Sequence, residues 1–318
     1  MQFRTEVVIP SSDFKLSHQN KIMMIGSCFV ENISAKLQNA GFDININPFG
    51  IMYNPISVLI TLNELLNKKR YFSKDLFLHQ GLYHSFSHHS RFSGSNPEAV
   101  IENINNQIDQ SSRFLFHADY LFITWGTANV YFRLSDKNPV ANCHKLPAKE
   151  FIHKRLTSTE ITTPWQIFLN QLKEINPKLK IIFTISPIRH WKDGATENQI
   201  SKSVLFVALD TLIQANEDVY YFPSYEIIMD DLRDYRFYAE DMLHPNYQAI
   251  DYIWEKFGNT YFNDETKEII AEWTSIQQAL QHKPFNPLSD EYNNFLKKAK
   301  ERERTFIEKH NRNKKTDL

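Results

Sequence analysis

The sequence has little cysteine, because only Cys28 and Cys143 occur among its 318 residues. A small secreted domain that depends on disulfides uses more cysteines in a much shorter chain, so we expect two free thiols. Net charge is low as well, since 36 basic and 37 acidic residues leave a formal charge of -1 at pH 7. Nonspecific binding of nucleic acid requires a strong positive field, so we expect no nucleic-acid partner.

Long hydrophobic runs are also missing. No stretch approaches the roughly 20 consecutive apolar residues that span a bilayer. The first residues, MQFRTEVVIPSSDF, lack the continuous apolar segment of a secretory signal. We therefore expect no membrane partner and a cytoplasmic location. The composition, with 42% hydrophobic and 23% charged residues, is that of an ordinary globular protein long enough to bury a full core.

Short apolar runs alternate with helical patterns along most of the chain. The apolar runs lie at 21–25, 42–46, 120–124, 179–185 and 219–222, and the helical patterns at 29–40, 56–66, 164–175, 197–215 and 247–257. The third of these helices is predicted to begin at Pro164 after Thr163. Residues 71–95 show no clear period and are predicted to form a long loop or a small hairpin. The alternation predicts an α/β fold with a mainly parallel sheet of five strands, covered by helices on both faces.

The composition changes after residue 262. The remaining pattern is mostly helical, and residues 296–318 are dense in Lys, Arg and Glu. We predict a main domain over 1–262 and a helical C-terminal extension over 263–318. The extension is expected to end in a solvated helix that frays into a disordered tail, with recruitment of an acidic partner as the alternative.

The segment Gly26-Ser27-Cys28-Phe29 lies where an apolar run ends and a helical pattern begins. Such a corner directs backbone N–H groups and a side chain at one point, and the positive end of the helix favours an anionic intermediate or a thiolate. Either Ser27 or Cys28 is therefore a candidate nucleophile. The alternative is an ordinary helix N-cap, in which Ser27 only accepts a hydrogen bond from a helix N–H.

A second segment, DMLHPN at 241–246, combines a carboxylate and an imidazole ahead of a helical pattern. An aspartate three residues before a histidine can hold the imidazole tautomer while the second ring nitrogen faces a nucleophile. Asp241 is the candidate orienting residue and His244 the candidate base. Because this spacing also occurs by chance on many surfaces, it becomes specific only in combination with the corner at 26–29.

Both segments resemble motifs of a known family. GSCFV at 26–30 resembles the signature of the GSCFA family, and 241–246 resembles Asp-x-x-His-Pro-Asn, the last block of the SGNH/GDSL hydrolase superfamily. Further matching blocks occur in the same order, namely NPFG (47–50), WGTA (125–128), VANCHK (140–145), SPIRH (186–190), ENQ (197–199), SK (201–202) and 235–244. The chain is thus identified as a member of the GSCFA family over residues 20–260.

The resemblance implies a three-layer α/β/α sandwich with a flavodoxin-like sheet, and a site made of a nucleophile, oxyanion donors and the Asp-x-x-His dyad. An ungapped match to the superfamily's Gly-Asp-Ser places Cys28 on the nucleophilic serine and Ser27 on the aspartate. Cys28 is therefore the nucleophile by position and Ser27 by usual chemistry, and both stay candidates.

The same resemblance assigns oxyanion donors. Gly50 matches the glycine whose backbone N–H donates, and residues 126–129 match the Gly-x-Asn-Asp block. In that block Ala128 replaces the donor asparagine, and Asn129 stands one place later. Losing one donor can cost about 2.7 to 4 kcal/mol of transition-state stabilisation, so we expect either that Asn129 reaches inward or that another group substitutes for the missing donor.

Five further residues are predicted to bind substrate. Cys143, His144 and Lys145 are expected to close over the site from a loop, and Arg189 and His190 follow the apolar run at 179–185. Lys145 and Arg189 can hold a carboxylate or phosphate, with surface salt bridges as the alternative. Cys143 and His144 are adjacent rather than at Cys-x-x-Cys spacing, so neither a metal site nor a cofactor is expected.

Together these residues predict an SGNH-type hydrolase or acyltransferase that acts on an ester through a covalent acyl intermediate. The predicted partner is a small-molecule or carbohydrate ester, the carbohydrate being an analogy with the superfamily. The competing hypothesis is a noncatalytic or redox-responsive binding protein on the same scaffold, because the nucleophile and asparagine positions are altered.

Overall fold

Ten strands and nine helices are found in the computed structural model, which describes residues 4–310. The strands are β1 (Lys21–Gly26), β2 (Asp43–Ile46), β3 (Phe77–His79), β4 (Leu82–His84), β5 (Tyr120–Trp125), β6 (Asn129–Arg133), β7 (Pro139–Val140), β8 (Phe151–Arg155), β9 (Lys180–Ile185) and β10 (Val219–Tyr221). The helices are α1 (Cys28–Asn39), α2 (Pro55–Leu66), α3 (Pro97–Phe116), α4 (Ser158–Ile175), α5 (Ala195–Ala215), α6 (Ser224–Glu226), α7 (Tyr247–Tyr261), α8 (Asp264–Gln281) and α9 (Asp290–His310).

The main sheet has the order β10-β9-β5-β1-β2, and all neighbouring strands are parallel. The five predicted apolar runs form these strands. Counted along the chain, their order across the sheet is 2-1-3-4-5, the flavodoxin-like doubly wound arrangement. The winding direction reverses between β1 and β5, where Gly26 is paired with Thr124. Ligands of such sheets bind at the carboxyl ends of the strands that flank this reversal.

Helices cover both faces of the sheet. Successive residues of β1 point to opposite faces, and they pack into two separate apolar cores. Met23 and Ile25 belong to the apolar core that includes the buried faces of α2, α3, α4 and α5. Ile22 and Met24 belong to the second core, which includes the buried faces of α1 and α7. The predicted α/β/α sandwich is confirmed.

Two helices differ from the sequence-based prediction. Helix α4 begins at Ser158 rather than Pro164, because Thr157 and Glu160 form a capping box six residues earlier. Pro164 is tolerated inside this helix. Helix α3 was not predicted, although Asn96 caps it and Pro97 occupies its first turn, which are ordinary start signals.

Two antiparallel units extend the fold beyond the main sheet. Strands β3 and β4 form a hairpin within residues 71–95, where a loop or small hairpin was predicted. Strands β7, β6 and β8 form a three-stranded sheet that was not predicted. Its strands carry several polar and exposed residues, so they lack the continuous apolar runs that identified the main sheet.

The segment before β1 is fastened to the end of α7. The backbone N–H of Leu16 donates to Tyr261 O at 2.8 Å, and the Lys15 ammonium donates to Thr260 O at 2.7 Å. Further towards the N-terminus, the Val7 N–H donates to the Asp231 carboxylate at 2.6 Å. We call residues 6–20 the N-terminal strap.

Helices α8 and α9 form a hairpin after the main domain, as the helical pattern predicted. Trp273 of α8 stacks on Phe306 of α9 with ring centroids 4.9 Å apart. The Thr266 hydroxyl donates to Leu16 O at 2.9 Å, which ties α8 to the N-terminal strap. The expected frayed tail at 311–318 lies outside the described residues. Within residues 4–310, no helix has both the length and the apolar character needed to cross a bilayer.

Candidate active site

The corner between β1 and α1 is fixed by the neighbouring strand β5. Gly26 has a φ of +142°, and a Cβ at this position would lie 2.2 Å from Thr124 O, so only glycine fits. The Gly26 N–H donates to the side chain of buried Asn47 at 2.9 Å, and the Ser27 N–H donates to Thr124 O at 3.3 Å. Cys28 is thereby held as the first residue of α1, beside the reversal point of the sheet.

Ser27 and Cys28 have different surroundings. The side chain of Ser27 is buried, with the residue only 1% exposed, and its hydroxyl makes no hydrogen bond within residues 4–310, not even as a helix cap. Cys28 is half-buried, and its Sγ lies 3.7 Å from His244 Nε2. The imidazole therefore faces the thiol and not the hydroxyl.

The second ring nitrogen of His244 is bound to a carboxylate. His244 Nδ1 lies 2.5 Å from Asp241 Oδ2, while Asp241 Oδ1 accepts the backbone N–H groups of Leu243 and His244 at 3.0 and 2.9 Å. These hydrogen bonds, chiefly the two from the backbone, lower the pKa of Asp241 to about 2. An ionised carboxylate on Nδ1 favours the tautomer that leaves the lone pair on Nε2, the atom facing Cys28.

The loop that carries the dyad is held by its own backbone. Met242 has a left-handed φ of 58°, and Ala239 N–H donates to His244 O at 2.7 Å. Asn246 caps α7 by accepting the Ala249 N–H at 3.1 Å. Both dyad side chains stay in contact with solvent, 48% exposed for His244 and 47% for Asp241.

Burial raises the pKa of the Cys28 thiol, and Glu31 adds to this shift. The backbone N–H groups of Cys28 and Phe29 and the ammonium of Lys202 act in the opposite direction, because each stabilises a thiolate. Since burial has the largest effect, the resting sulfur is a protonated thiol. Nucleophilic attack then requires a base, and His244 is the group in position.

Three polar side chains of α5 bind backbone groups of the loops around the site. Asn198 accepts the backbone N–H of His190 at 2.8 Å, and Ser201 accepts the backbone N–H of Ala128 at 2.7 Å. The ammonium of Lys202 donates to Gly126 O and to the carbonyl that follows β9, both at 2.7 Å. These residues belong to the matching blocks at 197–199 and 201–202, but the sequence alone indicates no role for them. Their signal is the 198, 201, 202 spacing, which places polar groups on the buried face of a helix.

Lys202 is fully buried, and its ammonium has no carboxylate partner in the described part of the chain. Burial lowers its pKa to about 7. His190 lies next to the corner, since a Cβ at Gly126 would come within 3.0 Å of His190 Nε2 and 3.6 Å of the Ser27 side chain. Burial lowers the pKa of His190 to about 4, so its imidazole is neutral at neutral pH.

The two predicted oxyanion donors are already engaged. The Gly50 N–H donates to Asn47 O at 2.7 Å, because residues 47–50 close a tight turn. The Asn129 amide donates to the Asp193 carboxylate at 2.7 Å. The Gly50 N–H is therefore not free in this structure for the predicted role, and one of the two N–H bonds of the Asn129 amide is already used. The backbone N–H groups of Cys28 and Phe29 favour a thiolate at Cys28.

The predicted substrate loop lies against the β3–β4 hairpin. His144 Nε2 is 2.8 Å from Ser85 O, its ring lies 4.5 Å from that of His84, and Lys145 is exposed. Burial raises the pKa of Cys143 to about 11. Within residues 4–310, no hydrogen bond or ion pair connects 143–145 to the dyad or to Cys28, and their closure over the site stays a prediction. No group of side chains suited to hold a metal ion occurs in the same residues.

Three solved structures are similar to this chain at low sequence identity. A solved structure titled as a carbohydrate esterase family 3 from Talaromyces cellulolyticus has 10% identity and a TM-score of 0.35, covering 80% of this chain and 99% of its own. A family two carbohydrate esterase from Clostridium thermocellum, in complex with cellohexaose, has 12% identity and a TM-score of 0.37, covering 83% and 67%. An acetyl xylan esterase from the rumen bacterium Butyrivibrio proteoclasticus has 10% identity and a TM-score of 0.35, covering 76% and 65%.

The comparison with curated proteins gives no match. The sequence profile described as GSCFA domain protein, C-terminal domain, matches residues 273–316, which include α9. The profile described as GSCFA family matches residues 21–257, which contain the main sheet, the corner at Cys28 and the dyad. Because this match covers most of the chain, the protein belongs to the GSCFA family.

Proposed function

We propose that the chain is a cysteine-dependent ester hydrolase or acyltransferase with the SGNH arrangement of catalytic groups. Cys28 is the nucleophile, His244 the general base and Asp241 the residue that orients the imidazole. One observation carries the proposal: Cys28 Sγ lies 3.7 Å from His244 Nε2, and His244 Nδ1 lies 2.5 Å from Asp241 Oδ2. This is the nucleophile–base–orienter relay of covalent hydrolases, allowing for the longer contacts of an unliganded site.

In the first half of the reaction, Cys28 Sγ attacks the acyl carbon of the ester while His244 Nε2 accepts the thiol proton. The tetrahedral intermediate collapses, the C–O bond to the alcohol breaks, and His244 returns the proton to the departing alcohol oxygen. In the second half, water or an acceptor alcohol attacks the thioester carbon and passes its proton to His244. The Cys28 thiolate leaves and is reprotonated, releasing a carboxylic acid or a new ester.

The oxyanion is stabilised at the start of α1 in this proposal. The backbone N–H groups of Cys28 and Phe29 lie at the positive end of a helix, where an anion is favoured. They take the role that was predicted for Gly50 and Asn129. The ammonium of Lys202 adds positive potential below the sulfur, on which it acts electrostatically.

Covalent labelling tests the proposal. The intact protein is treated with a thiol-directed alkylator and, separately, with a serine-directed phosphonate, and the modified residue is mapped by mass spectrometry. We expect alkylation at Cys28 that abolishes turnover of an acyl-ester panel containing acetylated sugars, and no phosphonate on Ser27. The Ser27→Ala variant is the matched control and should keep its activity, whereas Cys28→Ala should lose at least about 10³-fold.

Two results would contradict the proposal. Phosphonate labelling of Ser27 with loss of activity in Ser27→Ala would make the protein a serine esterase. Activity that survives in Cys28→Ala, or no turnover of any ester together with no selective labelling, would favour a binding protein on the same scaffold.

A further inference from the structure

A cavity of about 190 Å³ lies beside the dyad loop. Its walls are largely apolar and aromatic, with Met229, Tyr235, Tyr238 and Met242 among the lining residues, and Arg189 contributes a guanidinium. Tyr235 and Met242 are exposed, so the cavity opens to solvent on their side. None of these residues takes part in the relay of Cys28, His244 and Asp241.

The cavity and the reaction centre are neighbours, because two short segments contribute to both. Met242 lines the cavity and lies between Asp241 and His244 in the same turn. Arg189 lines the cavity, while the next residue, His190, contacts the corner at Gly126. A molecule held in the cavity therefore lies beside the loop that carries Asp241 and His244.

The charge of Arg189 is not compensated. In the described part of the chain the Arg189 side chain makes no hydrogen bond or ion pair, its Nε is buried without a partner, and its guanidinium lies 4.8 Å from the ring centroid of Trp191. The other charged lining residues are paired: Arg233 with Asp230 at 2.5 Å, and Asp234 with an exposed arginine at 3.6 Å. Arg189 is thus the available cation of this cavity.

We propose that this cavity is a subsite for an anionic group of the substrate, a carboxylate or a phosphate, which Arg189 binds. A guanidinium offers two parallel N–H groups to either oxyanion, and a half-buried one binds more strongly than one in open water. The apolar walls take the carbon atoms next to the anionic group, and the small volume limits them to a short chain. The inference rests on the proposed function and narrows its substrate to acidic esters.

Kinetics on matched esters tests the subsite. One pair is the nitrophenyl ester of butyrate and the mono-nitrophenyl ester of succinate; a second pair is phenyl acetate and its ring-carboxylated or ring-phosphorylated analogue. We expect at least one acidic ester to be preferred about tenfold or more in kcat/KM, mainly through KM. Arg189→Met should lower kcat/KM for the acidic ester to the value for its neutral partner, and Arg189→Lys should recover part of the preference. An exposed neighbouring cation outside the cavity, Lys192, gives the control Lys192→Met, which should keep the preference.

Binding without turnover separates this inference from the proposed function. Succinate and inorganic phosphate are titrated by calorimetry into Cys28→Ala protein and into the double variant with Arg189→Met. We expect at least one anion to bind to the first protein and neither to bind to the second. If the anion binds to Cys28→Ala protein but the wild-type protein hydrolyses no ester, the subsite is supported and the proposed hydrolase function is contradicted. Hydrolysis with equal preference in wild type and Arg189→Met, or equal binding by both proteins, would overturn the subsite.

Discussion

The nucleophile and the base of the candidate site are held in opposite ways. The corner that carries Cys28 is buried and is positioned by strand register, by Asn47 and by the fit of Gly26 against Thr124. The dyad lies on a surface loop with about half of each side chain in water. The corner is therefore coupled to the stability of the whole domain, whereas the dyad depends on a few local hydrogen bonds. Substitution of Gly26 should therefore destabilise the fold. Substitutions at the dyad should abolish activity while the protein stays folded.

The largest effect is expected at Gly26. Its φ of +142° and the 2.2 Å approach of a Cβ to Thr124 O make Gly26→Ala both strained and sterically blocked, so we expect a loss of about 3 kcal/mol or more. Gly81 is the matched control, since its φ is +76° and no atom lies within 4 Å of a Cβ there. Gly81→Ala should cost only about 1 to 2 kcal/mol. Urea unfolding measures both, and equal losses would show that the corner is not tightly packed.

Removing the dyad should affect activity alone. We expect His244→Ala and Asp241→Asn to lower kcat/KM by about 10³-fold or more, because the thiol then lacks an oriented base. Asparagine keeps an oxygen for the backbone N–H groups that Asp241 binds, but it removes the charge and presents an NH2 group instead of an acceptor to His244 Nδ1. Both residues are exposed, and the free energy of unfolding should fall by no more than about 1 kcal/mol. A large destabilisation by Asp241→Asn would break the distinction between corner and loop.

The free energy of unfolding of the protein should depend on pH through Lys202. Its pKa falls from 10.5 to about 7 on folding because the ammonium is buried. Between these two values the unfolded chain binds the extra proton, so the free energy of unfolding rises with pH, by at most about 1.4 kcal/mol per unit. Below about pH 7 both states are protonated and this contribution is constant. Lys202→Met should lack the rise when urea unfolding is compared at about pH 6.5 and about pH 9, and parallel curves for both proteins would refute the assignment.

The smallest effect concerns the two thiols. Burial raises the pKa of both, to about 11 for Cys143, so both are protonated at neutral pH. Only Cys28 has an imidazole at hydrogen-bonding distance, and we expect it to react with iodoacetamide about tenfold faster than Cys143. In His244→Ala the two rates should converge. A Cys28 rate that does not change in this variant would mean that the base does not act on the thiol.

The sequence predicted the parts of the protein that depend on local pattern. The three central strands of the main sheet, β1, β5 and β9, are nearly continuous apolar runs, because they are buried on both faces, whereas the edge strand β2 alternates polar and apolar residues. The contact between Asp241 and His244 is equally local, since only two residues lie between them and one turn brings their side chains together. The helical extension was readable from composition for the same reason.

The remaining features depend on contacts between distant segments. The exposure of Cys28 and the burial of Ser27 follow from how the corner docks on β5, which the pattern at 26–29 does not contain. The Asn129 amide binds Asp193, 64 residues away, and so cannot be assigned from its own block. Lys202 resembles a surface lysine in sequence. Its burial is explained only by the two backbone carbonyls from distant segments, at Gly126 and at the end of β9, that accept its hydrogen bonds.

Because of the N-terminal strap, the folded domain is longer than the region that the family profile matches. The family profile begins at residue 21 and ends at 257, yet Leu16 and Lys15 bind the end of α7, and Thr266 binds Leu16 in turn. A fragment restricted to residues 21–257 would lack both the strap and the residues of α7 and α8 that it binds. The cut would also expose Phe257, which is 2% exposed in the whole structure. Expression of the main domain alone therefore requires boundaries outside the shared region, near residue 6 at one end and beyond Thr266 at the other.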